Sequence, residues 1–159
     1  MTPLMAAEKI CEFLKESFDA YDETSDKYDE ESHAYGPVNV YVGYPPVVKK
    51  ASDKGKLFPF VSVHPSVIKD SEDETVVSVD IIVETYDEDQ VNGDKTLYHL
   101  LEFIRHAILT KRPEGCWTLK PGTMQTEIPP DQPYPCWVGT VFIDVSIPQP
   151  VPNFSDELF

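Results

Sequence analysis

The chain has 159 residues, and its 28 Asp and Glu against 13 Lys and Arg give a formal net charge of −15. This length suits one domain with a hydrophobic core, and a hydrophobic content of 41% argues against a disordered chain. The negative charge provides no electrostatic route to phosphates, so the composition argues against a nucleic-acid ligand and against binding to an anionic membrane surface.

Targeting and cysteine patterns point to the cytoplasm as the place of synthesis. We expect neither a secretion signal nor a membrane span, because the required apolar runs are absent from the sequence. The cysteines Cys11, Cys116 and Cys136 are odd in number and widely spaced. We therefore expect free thiols in a reducing compartment.

The first part of the chain has the periodicity of a helix. Thr2 and Pro3 are typical of a helix start. Apolar residues at helical spacing from Leu4 to Phe18 then predict an amphipathic helix that ends at about residue 20. The acidic segment that follows, residues 20–36, is expected either to extend this helix or to form a flexible loop.

The middle of the chain reads as three strands. Alternation predicts strands at residues 38–42 and 58–64, separated by a lysine loop at residues 47–57. An acidic turn at residues 69–74 leads to a third strand at 76–86. The alternating pattern of this third strand indicates a half-buried, antiparallel strand.

The two faces of the third strand differ in composition. Its apolar face carries Val77, Val79, Ile81 and Val83. The opposite side of the predicted sheet mixes polar and apolar residues, which is typical of a subunit contact. The candidate contact residues on that side are Asp80, Ile82, Glu84 and Phe142.

A second helix and further strands complete the chain. The helix is predicted from Asp94 to residue 112, because its apolar residues recur at helical spacing. Residues 117–128 predict a strand, or a short hairpin broken at a Pro-Gly pair. A Pro-rich arm at 128–136 precedes the last strand at 137–147.

The order of these elements predicts an α+β fold. A mostly antiparallel sheet of about five strands, with two helices packed on one face, buries every apolar stripe. We expect a single domain over residues 1–150 and a mobile C-terminal tail at residues 151–159.

Histidines, cysteines and carboxylates form no recognisable catalytic or metal-binding pattern. His99 and His106 lie seven residues apart on the predicted second helix, whereas a helical metal pair needs a spacing of four. The sequence has no CxxC pair, nucleotide-binding glycine motif or nucleophile elbow. We therefore predict that the protein is not an enzyme, with no catalytic residue, cofactor or metal.

Two features are candidate assembly interfaces. The lysine loop, with four lysines against one aspartate, is either a contact for an acidic surface such as a neighbouring copy, or a solvated loop. The Pro-rich arm either docks on a partner with little loss of entropy or simply connects two strands. The candidate interface residues are Lys49, Lys50, Lys54, Lys56, Pro129, Pro130, Tyr134 and Trp137.

Four stretches of the sequence resemble the tail terminator (tail completion) proteins of long-tailed bacteriophages and prophages. They are residues 58–63 (FPFVSV), 79–86 (VDIIVETY), 100–105 (LLEFIR) and 132–139 (QPYPCWVG). The resemblance follows the order of the elements from the first helix to Pro150, and it includes no catalytic signature.

The resemblance implies a structural virion protein that assembles as a homo-oligomeric ring, typically a hexamer. Such a ring caps the tail tube protein, stops tube growth and offers a joining surface to the head-side connector in the virion tail or neck. It implies no membrane contact, and DNA is only a passing cargo. The acidic turns are then candidate lumen-facing residues: Asp70, Glu72, Asp73, Glu74, Asp87, Glu88 and Asp89.

Other functions stay open on the same residues. Another neck or head-completion protein of these particles would have a similar size and α+β character. An acidic protein of the host cytoplasm that binds a basic partner is a further alternative, although here the charge concentrates in turns rather than along one face. A small enzyme that uses a cysteine or a carboxylate lacks supporting motifs, and the chain has only 7 glycines.

Overall fold

The computed structural model describes residues 1–24, 37–47, 57–110 and 117–150. Over these residues two helices pack on a mostly antiparallel, six-stranded mixed sheet that curls into a half-barrel, which confirms the predicted α+β fold class. The elements are α1 (Pro3–Thr24), β1 (Asn39–Val42), β2 (Phe60–Asp70), β3 (Thr75–Tyr86), α2 (Lys95–Thr110), β4 (Thr118–Leu119), β5 (Gln125–Glu127) and β6 (Cys136–Ile147).

Several predicted features lie outside the described residues. These features are residues 25–36 of the acidic segment, residues 48–56 of the lysine loop and the tail at 151–159. The candidate interface lysines fall in the second of these ranges, so their role stays a prediction. They are Lys49, Lys50, Lys54 and Lys56.

Helix α1 begins at the predicted capping residue. The Thr2 hydroxyl accepts a hydrogen bond from the Met5 N–H at 3.1 Å, which satisfies a backbone donor of the first turn. The helix continues to Thr24, past its predicted end. Leu4, the first residue of the predicted stripe, is 55% exposed instead of buried. The buried stripe consists of Ala6, Ala7, Ile10, Cys11, Leu14 and Phe18.

The strands follow the order β1-β2-β3-β6-β4, and β5 also pairs with β6. β1 runs parallel to β2, whereas the other pairs are antiparallel. A parallel pair needs a crossover connection, and residues 43–59 separate the two strands in the sequence. The segment predicted as a strand or hairpin forms β4 and β5, which pair with β6 and not with each other.

Strand β2 is longer than predicted, since it continues beyond Pro65. The predicted strand ended at residue 64, but the observed strand continues to Asp70. The register with β3 shifts between Pro65 and Val67, which marks a β-bulge. A bulge tolerates a residue without a backbone N–H, so Pro65 does not end the strand. The predicted acidic turn at 69–74 correspondingly shortens to residues 71–74.

Both helices pack on one face of the sheet, and the core lies between them and the sheet. The predicted apolar face of β3 is fully buried there. On β6, Gly139 allows a close approach of α2, because an added Cβ would lie 2.7 Å from Leu101 Cδ1. Helix α2 begins directly after Asp94, as predicted. It buries Leu97, Leu100, Leu101, Ile104 and Ile108.

Candidate functional site

The face of the sheet opposite α1 and α2, here called the helix-free face, carries the predicted contact residues. Asp80, Ile82 and Glu84 on β3 lie on it and are half-buried. Phe142 on β6 is directly opposite Asp80 in the register and is also half-buried. The alternation predicted from the sequence therefore places these side chains together on one surface.

Aromatic rings gather at one end of the helix-free face. The Phe60 ring centroid lies 5.2 Å from that of Phe58 and 6.4 Å from that of Tyr41. The Phe58 centroid also lies 5.9 Å from that of Tyr86, which is 39% exposed. Phe60 itself is buried, so Tyr86 is the most accessible ring of this aromatic cluster. Aromatic side chains are enriched in protein–protein interfaces, so the exposed side of Tyr86 is the most interface-like part of the face.

Glu84 is a half-buried carboxylate beside this aromatic cluster. The strand register places it between Phe60 on β2 and Val138 on β6. Its burial among such neighbours disfavours the charged form and raises the pKa of Glu84 above its ordinary value. The face therefore holds a carboxyl group that would be more stable protonated or paired with a donor.

Replacing Glu84 with glutamine is expected to stabilise the folded chain at pH 7, by a few degrees in Tm. Because the folded-state pKa of Glu84 is raised, its favourable contribution is complete below the unfolded-state pKa. That contribution is lost as the pH rises through the folded-state pKa. Thermal melts of wild type and Glu84→Gln, from below the unfolded-state pKa to above the folded-state pKa, measure the difference in Tm.

The matched control is Glu72→Gln, which changes an exposed carboxylate in the β2–β3 turn. We expect this control to keep the pH dependence of the wild type. Identical melting curves for wild type and Glu84→Gln at every pH would contradict the assigned environment of Glu84.

The Pro-rich arm is bonded to the segment that follows β3. The Tyr134 hydroxyl donates to the Glu88 carbonyl at 2.7 Å, and the Trp137 indole N–H donates to the Asp87 carbonyl at 3.0 Å. The Asp87 N–H in turn donates to the Pro135 carbonyl at 3.0 Å. Tyr134 and Trp137, which were predicted for assembly, thus hold together a corner of their own chain.

Gln132 holds the Pro-rich arm against the first residues of β6. Its Oε1 accepts the Val138 N–H at 2.7 Å, and its Nε2 donates to the carbonyls of Pro129 and Val138. These bonds tie the arm to the start of β6. Pro129 and Pro130 remain exposed on the outside of the arm, where a partner could reach them.

The acidic β2–β3 turn is tied to the opposite edge of the sheet through Glu74. This carboxylate accepts hydrogen bonds from Lys120 Nζ and from Ser146 Oγ, the latter at 3.0 Å. The Lys120 bond, followed by the Ser146 bond, holds the pKa of Glu74 below its ordinary value. Glu74 is therefore a structural partner of Lys120. The exposed acidic residues here are Asp70, Glu72 and Asp73.

Strand β3 separates the two predicted lumen-facing groups. Residues 70–74 lie at its start and residues 87–89 follow its end. A strand of 12 residues spans about 40 Å. The two groups therefore do not form one acidic patch. Both can line the same channel only if β3 runs along the channel axis.

A cavity of about 610 Å³ lies beside the C-terminal end of α2. Its described lining is largely apolar, and Arg105 is the charged member, with an exposed 3.4 Å pair to Glu102. The sequence gives no signal for this cavity, because it depends on how the β4–β5 segment packs against α2. Lining residues include Ile108, Leu109, Trp117, Leu119 and Met124.

No protein-family model and no curated protein matches the sequence. Within the described residues, no group of three or more His, Cys, Asp or Glu side chains could hold a metal ion. In the same part of the chain, no helix is long and apolar enough to cross a membrane.

Proposed function

We propose that this chain is a structural virion protein, the tail terminator (tail completion) subunit of a long-tailed bacteriophage or prophage. In this proposal, copies of the chain assemble as a ring on the end of the tail tube. The ring stops tube growth and provides the surface that joins the head-side connector. The resemblance of four sequence stretches to this family is the starting point.

The helix-free face is the observation that carries the proposal. Both described helices pack on the other face, so neither of them covers the half-buried Ile82 and Phe142 or the exposed ring of Tyr86. An apolar surface of this kind is typical of a contact with another protein. A ring subunit, which contacts copies on two sides and a tube below, needs such surfaces.

The acidic ends of β3 support the passage of DNA through the ring. Carboxylates that line a channel repel phosphates and give DNA no site at which to bind. With β3 along the channel axis, residues 70–73 and 87–89 would lie near its two mouths. The same acidity that argues against DNA as a ligand is then compatible with DNA as cargo.

The proposal predicts a ring-sized particle in solution or on tail tubes. Size-exclusion chromatography with light scattering, with and without tail tube protein, should show this oligomer. Ile82→Asp, on the helix-free face, should shift the chain toward the monomer. The matched control Val91→Asp changes a residue that is 82% exposed in a loop and should assemble as the wild type does.

Circular dichroism of both variants separates lost assembly from lost folding. A folded Ile82→Asp monomer beside an assembling Val91→Asp protein supports the proposal. A wild-type chain that stays monomeric at high concentration and never joins tail tubes would reject it.

A further inference from the structure

The described part of the sheet ends in two open edges. On one side, β1 pairs only with Phe60–Val63 of β2, so residues 66–70 of β2 have no partner strand there within the described residues. On the other side, β5 pairs with β6 and its three residues are exposed. Open edges present unpaired backbone N–H and C=O groups, which can hydrogen-bond to another strand.

The free edge of β2 exposes two apolar side chains. Val67 is 59% exposed and Ile68 is 53% exposed, and as neighbours in a strand they point to opposite faces. Pro65 and the bulge disrupt only the beginning of this edge. Lys69 and Asp70 follow, and charges of this kind usually protect an exposed edge. Val67 and Ile68 nevertheless stay exposed between the bulge and these charges, which is typical of a contact with another protein.

We propose that residues 68–70 of β2 in one copy pair with residues 126–128 at the β5 edge of a second copy, so that the sheet continues across the subunit boundary. This inference rests on the proposed self-assembly and names the surfaces that meet. A contact between two different edges is heterologous, and it closes into a ring when the rotation between copies allows.

Strand direction favours this pairing. The antiparallel pairs β2–β3, β3–β6 and β6–β5 make β2 and β5 run in opposite directions within one chain. Lys69 is level with Val76 of β3, and Glu127 is level with Ile82 through Thr140, so joining the two edges shifts neighbouring copies by about 20 Å along the strands. Rotation about an axis to which the strands are inclined, as in a closed barrel, gives this shift and keeps the strand directions. The β2 edge of one copy therefore meets the β5 edge of the next as an antiparallel pair.

Charge and apolar pattern select one register. Lys69 and Glu127 are exposed, and their registers with β3 and β6 place both on the helix-free face. Placing Lys69 opposite Glu127 pairs opposite charges, and it also places Ile68 opposite Ile128 on the other face. Cross-strand pairs of both kinds stabilise a sheet.

A charge exchange tests the register. Lys69→Glu and Glu127→Lys each place like charges opposite one another and should weaken association by about tenfold per interface. The double variant restores opposite charges and should associate close to the wild type in analytical ultracentrifugation. The control Lys95→Glu changes an exposed lysine on α2 and should have no effect.

Cysteine crosslinking tests the same contact directly. Ile68→Cys with Ile128→Cys, in a background with Cys116→Ser and Cys136→Ser, should form a disulfide between copies, because facing strand residues lie within disulfide reach. If the chain assembles but neither exchange nor crosslinking has an effect, the edge pairing is overturned and the proposed function stands. If the wild type assembles neither alone nor on tail tubes, both are overturned.

Discussion

Replacing Trp137 with alanine is expected to lower the free energy of unfolding by about 3 kcal/mol. The indole ring fills the corner between the Pro-rich arm and the segment after β3, with its N–H bonded to the Asp87 carbonyl at 3.0 Å. It packs edge-on against Tyr134 at a centroid distance of 6.2 Å. Gly93 shows how close the packing is, since an added Cβ would lie 2.9 Å from the indole nitrogen.

Trp137→Phe is the matched control for this loss. It keeps an aromatic ring and removes the indole N–H donor, so it should cost only about 1 kcal/mol. Urea unfolding followed by circular dichroism measures both variants. If Trp137→Ala and Trp137→Phe lower the free energy of unfolding equally, the aromatic ring itself contributes nothing. That result would contradict the packing assigned to this corner.

The same pair of variants tests how the Pro-rich arm acts. In the structure, Tyr134 and Trp137 bond to carbonyls of their own chain, whereas Pro129 and Pro130 are exposed. If the arm contacts a partner, its prolines make that contact and the two aromatic residues position them. A folded Trp137→Phe protein should therefore still assemble.

The elements with strong local periodicity were predictable from the sequence. Strand β3 alternates over its whole length, and helix α2 repeats its apolar residues at helical spacing, so both agree closely with their predictions. The helix-free face followed from the same alternation, because residues two apart in a strand share a face. Local pattern thus predicted the fold class and the residues that share the helix-free face, but it did not predict the aromatic cluster on that face.

Long-range contacts were not predictable in this way. The bond between Tyr134 and Glu88 joins residues 46 positions apart, and the bond between Trp137 and Asp87 joins residues 50 apart. No local pattern signals which carbonyl a hydroxyl or an indole will reach. The division of one edge strand into β4 and β5 likewise depends on their pairing with β6.

The arrangement of the two acidic groups, residues 70–74 and 87–89, was predictable only in part. Their sequence positions on either side of β3 already fix a large separation, since an extended strand rises about 3.3 Å per residue. What the sequence could not supply was the Lys120 partner of Glu74, which comes from a segment 46 residues away. Glu74 therefore pairs with a lysine, whereas the carboxylates of Glu72 and Asp73 beside it are exposed.

Reversing the charge of Lys49, Lys50, Lys54 and Lys56 to glutamate is expected to weaken assembly by about 100-fold or more, because each lysine that meets an acidic surface becomes a repulsive contact. The described residues of the helix-free face include such acids, Asp80 and Glu84 among them. The lysines are not predicted to support the fold, so the melting of the monomer should stay unchanged. Light scattering at a series of concentrations measures the association.

A two-residue comparison separates this contact from a general effect of charge. Lys49→Glu with Lys50→Glu should weaken assembly, whereas Lys15→Glu with Lys95→Glu changes the net charge equally on exposed positions of the helices and should not. Equal weakening by both pairs would indicate repulsion between whole subunits. Unchanged assembly of the four-lysine variant would make the lysine loop a solvated segment and leave the helix-free face and the sheet edges as the contacts to test.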